Sequence, residues 1–165
     1  MEKVLVTGGS GFIALHCIDQ LLGKGFMVRT TIRSESRKDE INKAMDKYPN
    51  LDQNLDFHIC DLLEDEGWDA AVDGCDYVLH VASPFILEVP SDEDVLIRPA
   101  VDGTLRVLNA CSKADVKKVV LTSSVAAVAY LDFGVLLLYF QQQVRFSFLV
   151  LYLGAVAVAA AVAFR

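Results

Sequence analysis

Residues 3–22 read Lys3-Val4-Leu5-Val6-Thr7-Gly8-Gly9-Ser10-Gly11-Phe12-Ile13-Ala14-Leu15-His16-Cys17-Ile18-Asp19-Gln20-Leu21-Leu22, and their order decides the fold. Val4, Leu5 and Val6 make a short buried strand. Phe12, Ile13, Leu15, Cys17, Ile18, Leu21 and Leu22 give a broad apolar face at helical spacing. Gly23-Lys24-Gly25 stops that helix in the manner of a glycine C-cap. Between strand and helix lies Gly8-x-x-Gly11-x-x-Ala14. A helix start presents free backbone N–H groups and the positive end of its dipole, so it suits a pyrophosphate wherever no side chain blocks the approach. Gly8 serves the tight turn, Gly11 the close approach of phosphate, and Ala14 the packing of helix on strand. Such glycines alone also mark any ordinary strand-to-helix turn. Here the flanking strand and helix supply the context that a dinucleotide fingerprint requires. The candidate phosphate-side residues are Thr7, Gly8, Gly11, Phe12, Ile13 and Ala14.

Outward from this turn, strands and helices alternate as far as residue 130. Strands are expected near 3–7, 26–32, 55–60, 76–82 and 117–123. Helices are expected near 11–22, 36–47, 66–72 and 92–113, the last interrupted at Pro99. Apolar strands alternating with helices predict a doubly wound (Rossmann) α/β fold, a parallel sheet covered on both faces, with strand order 3-2-1-4-5. Residues 1–130 are read as the dinucleotide-binding domain.

Composition changes after Tyr130. All 22 Asp and Glu lie at or before Asp132, and residues 135–165 carry only Arg145 and Arg165. Residues 146–164 hold no charge at all. That length fits a membrane span, but the stretch is rich in Ala and Val and has neither amphipathic period nor caps. Residues 131–165 are therefore read as an apolar tail. Three readings stay open for it: a membrane anchor through 146–164, an apolar helix over the open sheet edge, or sequence foreign to a truncated fold.

Residues 1–134 hold 13 Lys and Arg against 22 Asp and Glu, and no basic stripe. Such a domain is a poor nucleic-acid binder. None of Cys17, Cys60, Cys75 and Cys111 forms a Cys-x-x-Cys pair, and no metal-ligand spacing joins them to His16, His58 or His80. Cysteines within apolar runs act as small hydrophobes. With the first strand beginning at Lys3, no signal peptide is expected, and a reducing, cytoplasmic setting follows.

Three further stretches carry chemistry. The second strand runs out into Arg33, followed by Ser34, Arg37 and Lys38. A guanidinium there suits the 2′-phosphate of NADP, whereas a carboxylate there would select NAD. Glu35 is the nearest acid, and the balance favours NADP. Asp61-Leu62 closes the third strand where a doubly wound fold meets adenine; Asp61 is also a candidate cap for the helix that follows. Val81-Ala82-Ser83 ends the fourth strand, either bordering the ligand crevice or simply closing the strand in a turn. Thr122-Ser123-Ser124 ends the fifth, where hydroxyls can hold a substrate oxygen or simply close a turn.

Together these pieces resemble the extended short-chain dehydrogenase/reductases, and within them the dihydroflavonol reductase, cinnamoyl-CoA reductase and microbial aldehyde reductase group. The resemblance rests on Val6-Thr7-Gly8-Gly9-Ser10-Gly11-Phe12-Ile13-Ala14, Val28-Arg29-Thr30-Thr31-Ile32-Arg33, Cys60-Asp61-Leu62, His80-Val81-Ala82-Ser83-Pro84, Asp102-Gly103-Thr104 and Val120-Leu121-Thr122-Ser123-Ser124, and covers residues 1–130. It implies NADPH-dependent reduction of a small ketone, aldehyde or acyl-thioester. It assigns the cofactor turn to Gly8, Gly11 and Ala14, the 2′-phosphate to Arg33, the adenine side to Asp61 and the catalytic serine to Ser124. In that family a tyrosine donates the proton and a lysine four residues later lowers its pKa. No Tyr-x-x-x-Lys occurs in this sequence, and its last lysine is Lys118. The alternative expectation is thus an inactive dinucleotide-binding fragment or a membrane-tethered module.

Overall fold

β1 (Lys3–Val6) pairs in parallel with β2 (Met27–Ile32) on one side and β4 (Tyr77–His80) on the other. β3 (Leu55–Ile59) extends the sheet beyond β2, and β5 (Lys118–Leu121) extends it beyond β4, giving the order β3-β2-β1-β4-β5. The computed structural model describes residues 1–84, 92 and 94–123. Within these, α1 is Phe12–Gly23, α2 Lys38–Ala44, α3 Leu51–Asn54, α4 Trp68–Val72 and α5 Asp94–Lys113. The expected doubly wound topology and strand order are what the chain adopts. The apolar tail, 131–165, lies outside the described residues. Among the described residues no helix is long and apolar enough to cross a membrane.

Alternation along the strands sends neighbouring residues to opposite faces. Val6 joins Ala14, Ile18 and Leu22 of α1 and Ile41 of α2 in one core. Leu5 and Val78, side by side in the β1–β4 register, join Trp68 and Val72 of α4 and Val107 and Cys111 of α5 in the other. Gly103 lets α5 close on the segment after β3: a Cβ there would stand 2.9 Å from the Leu62 Cβ.

The element boundaries depart from the periodicity, and four differences have a physical reading. The polar helix expected over 36–47 splits into a 3-10 turn, Glu35–Arg37, and α2. An unforeseen single turn, α3, precedes β3. β5 is shorter than expected, because only Lys118–Leu121 has a partner strand, β4. α5 runs through Pro99 unbroken. Pro99 lies in its second turn, so the one backbone bond it removes falls near the helix start, and the ladder beyond is intact.

Candidate functional site

The glycine turn is built by β2 as much as by its own sequence. Gly8 adopts φ +71°, the left-handed region that glycine enters without penalty. Its N–H donates to Thr31 Oγ1 at 2.9 Å, and Gly9 N–H donates to the Thr31 carbonyl at 2.8 Å. Thr30 Oγ1 in turn donates to the Val6 carbonyl at 2.7 Å. Gly9 is pressed against that threonine: a Cβ on it would overlap the Thr30 hydroxyl and come within 2.9 Å of Cγ2. Gly11 N–H donates to Gly8 O at 2.8 Å, which closes the turn, and Leu15 N–H donates to Gly11 O at 2.9 Å, which opens the helix.

No side chain caps α1. The N–H groups of its first turn therefore face outward with the dipole behind them. A Cβ on Gly11 would meet only Gly8 O, at 3.2 Å, so the space before the helix is open. Phe12 and Ile13 flank this space at 78% and 54% exposure, while Ala14 is fully buried against the sheet.

The end of β4 closes on the same turn. Thr7 Oγ1 accepts the N–H groups of Val81 and Ala82, at 3.0 and 2.9 Å, and lies 2.8 Å from His80 Nδ1. A Cβ on Gly8 would stand 3.0 Å from the Ala82 Cβ. Thr7, Gly8, Val81 and Ala82 are thus brought together, with Ser83 exposed just beyond. Burial pushes the His80 imidazole down to about 4, so the ring is neutral at ordinary pH.

Arg33 follows β2 and is exposed. Among the described residues it makes no ion pair, whereas Arg37 is held by Glu40 at 3.1 Å and Lys38 by Glu35 at 2.6 Å. One guanidinium at this strand end is therefore uncommitted, and the nearest carboxylate is neutralised. On β3, Cys60 N–H donates to the Ile32 carbonyl at 3.0 Å, which carries the edge on to Asp61. Asp61 Oδ1 accepts Leu63 N–H at 3.0 Å. Its cap is on its own turn and not on α4, whose N-cap is Gly67. The α4 indole explains the turn: Trp68 Nε1–H donates to the carbonyls of Asp61 and Glu64, each at 3.1 Å. Leu62 points away into the core against Gly103.

At the end of β5, Thr122 donates both its N–H and its hydroxyl to the His80 carbonyl, at 3.0 Å each. Ser123 is exposed beyond it. Ser124 lies outside the described residues. Four residues of this edge, Gly9, Thr30, Thr31 and His80, stand in the stretches that carry the resemblance but receive no role from it. The threonine pair had one signal, two polar residues beside Arg29 in the inner half of a strand that the sheet buries.

The model of the 3-beta hydroxysteroid dehydrogenase/isomerase family matches residues 5–133. The chain belongs to that family. Among relatives of this 3-beta hydroxysteroid dehydrogenase/isomerase member, the dihydroflavonol 4-reductase of Dianthus caryophyllus is 42% identical over 123 residues, covering 74% of this chain and 34% of the relative. Cinnamoyl-CoA reductase CAD2 of Medicago truncatula is 42% identical over 128 residues, covering 77% and 39%. The crystal structure of Gre2 from Candida albicans in complex with NADPH superposes with a TM-score of 0.67 at 37% identity, covering 77% of this chain and 38% of that one. Vestitone reductase from alfalfa (Medicago sativa L.) superposes with a TM-score of 0.76 at 28% identity, covering 99% and 52%. The resemblance expected from the motifs agrees with these matches. The chain spans 34–39% of the length of the two curated relatives.

Proposed function

We propose that residues 1–130 bind NADPH along the carboxyl edge of the sheet, as the nucleotide half of a reductase acting on a small ketone, aldehyde or acyl-thioester. The observation that carries this is the uncapped start of α1 behind a glycine turn with open space before it. A pyrophosphate there would take the free N–H groups of the first turn, near Gly11, Phe12 and Ile13. Arg33 would hold the 2′-phosphate with its fork of donors. The Glu35–Lys38 pair supports NADP over NAD, because the acid that would prefer an unphosphorylated ribose already has a cation. Asp61 keeps one carboxylate oxygen beyond its Leu63 bond for the adenine amino group. Val81, Ala82 and Ser83 would line the path toward the nicotinamide. The cofactor supplies the hydride, and Ser124 would orient the substrate carbonyl. Gre2 was crystallised with NADPH, and the curated relatives are named as reductases, which supports the same reading. Cys60, Cys75 and Cys111 are buried and Cys17 half-buried, so each packs as a small hydrophobe.

A second reading is favoured by one observation, the absence of Tyr-x-x-x-Lys. By it the chain is a dinucleotide-binding module that does not turn over substrate. Both readings require the cofactor. Titration of the 165-residue chain with NADPH and NADH, followed by nucleotide fluorescence, tests them together. Saturable binding with NADPH preferred is expected; no binding of either nucleotide overturns both.

A further inference from the structure

The cofactor reading leaves His80 without a task, yet its side chain is buried at 1% exposure where three strands end. β1 pairs with β4 only as far as Val6 and Leu79. Thr7 N–H continues the ladder by one bond, to the Leu79 carbonyl at 3.0 Å. Beyond that the strands part, since β1 enters the glycine turn while the chain after β4 runs on through Val81 and Ala82. A parting of strands orphans backbone donors, and buried orphans are costly. Here both N–H groups turn to a single side-chain oxygen, Thr7 Oγ1.

The donor count decides the rest. A threonine hydroxyl has one proton and two lone pairs. Val81 and Ala82 take both lone pairs, so the proton must go to the third neighbour, His80 Nδ1 at 2.8 Å. Nδ1 must then be bare, with the imidazole proton on Nε2. On its main-chain side the same residue accepts both donors of Thr122. His80 therefore ties together the ends of β1, β4 and β5. The gap it governs is tight: Gly8 has no room for a Cβ beside Ala82.

We propose that His80 is a positioning residue which, by accepting the Thr7 proton, sets the spacing between the glycine turn and the end of β4 and so shapes the pyrophosphate and nicotinamide half of the cofactor path. It acts through Thr7 and not by contact with the nucleotide. The proposal rests on the NADPH reading above. Asparagine can present an amide oxygen where Nδ1 stands, whereas leucine removes the acceptor and leaves the Thr7 proton competing with the Val81 and Ala82 amides.

The test compares NADPH with adenosine 2′-monophosphate, which carries the Arg33 side of the cofactor but no pyrophosphate. In the full chain, His80→Leu should weaken NADPH about tenfold, the loss carried by one ordinary hydrogen bond. It should leave adenosine 2′-monophosphate unchanged. His80→Asn should restore NADPH binding, and Thr7→Val should match His80→Leu without adding to it in the double variant. Unchanged NADPH affinity in His80→Leu overturns the proposal, as does equal loss for both ligands or failure of His80→Asn to rescue. Nitrogen-15 NMR of the native chain reads the ring directly, whatever the stability of the variants: a bare Nδ1 is expected, and a proton on Nδ1 overturns the proposal. If the native chain itself takes no NADPH, the cofactor reading fails first, an outcome distinguished by needing no substitution.

Discussion

The guanidinium of Arg29 on β2 meets the carboxylate of Asp56 on β3 as a parallel pair, Nε to Oδ1 at 2.9 Å and Nη2 to Oδ2 at 3.1 Å. Its remaining nitrogen, Nη1, donates to the carbonyls of Ala70, Ala71 and Asp73, at 3.1, 3.1 and 2.8 Å. One side chain thus joins two strands and also satisfies carbonyls at the end of α4 that the helix itself leaves free.

Arg29→Met should therefore destabilise the fold by about 1.5–3 kcal/mol, the range for hydrogen bonds to charged groups. Arg29→Lys should recover little, because a point ammonium lacks the fork. Burial alone would raise the Asp56 carboxyl, but the hydrogen bonds and charge of Arg29, with Lys3 beside them, outweigh it and hold it below the usual carboxylate range. A depressed carboxylate stabilises the fold above its unfolded value and loses that contribution as pH falls through the folded one. Urea unfolding of the native chain should show this acid loss below about pH 4, and Arg29→Met, which keeps only Lys3 beside Asp56, should show less of it.

His80 predicts a separate pH window. Its ring is neutral in the fold, pushed down to about 4 from an ordinary value of 6.5. The unfolded chain binds the extra proton between those values, so stability is full above pH 6.5 and declines as pH falls toward 4. The total over the window is roughly 3 kcal/mol. His80→Asn carries no titrating ring, and its denaturation curves should be flatter across that interval.

Gly9 and Gly11 should respond differently. Gly9→Ala drives a methyl into the buried Thr30 side chain. Overpacking of that kind costs about 1–3 kcal/mol and should appear as a lower Tm. Gly11→Val meets only the Gly8 carbonyl, at 3.2 Å, so Tm should fall less than in Gly9→Ala while NADPH binding is abolished by the branched side chain before the helix start. Retained NADPH affinity in Gly11→Val would mean that the phosphates lie elsewhere.

Arg33→Ala should weaken NADPH by about 1.5–3 kcal/mol, roughly one to two decades in affinity. NADH should be barely affected. Calorimetric titration with both nucleotides makes the comparison, and equal losses would reduce Arg33 to a surface charge.

The 165-residue chain should oxidise NADPH with aldehydes, ketones or acyl-thioesters only at trace rates. A phenol with an ordinary pKa near 10 is a poor proton donor at neutral pH without a neighbouring cation. Positioned acid–base catalysis contributes about 10²–10⁴-fold, and no Tyr-x-x-x-Lys supplies it here. Robust turnover by the purified chain would require another proton donor, with Tyr130 the first to replace by phenylalanine.

Much of this molecule was legible from periodicity and spacing. The strand–helix alternation, the glycine turn and the basic residue ending β2 are local patterns, and local patterns depend on neighbours a few residues apart. Boundaries were less legible where tertiary pairing decides them. β5 ends at Leu121 because its ladder with β4 ends there, and α5 continues through Pro99 because a single missing bond near the helix start is tolerable. Asp61 looked like a cap for the next helix, yet the Trp68 indole draws the intervening carbonyls into a tight turn of their own.

By itself, then, the sequence determined the topology and the strand order, and it offered the carboxyl edge and Arg33 as the expected place of the nucleotide. These follow from residue types in linear order. What holds the glycine turn in place came only from the tertiary structure. Thr31 reaches Gly8 across 23 positions of sequence, and His80 reaches Thr7 across 73. Parallel strands are joined by long crossovers, so their cross-strand partners are distant in sequence by construction of the fold. No local pattern can announce a hydroxyl shared by two amides and an imidazole.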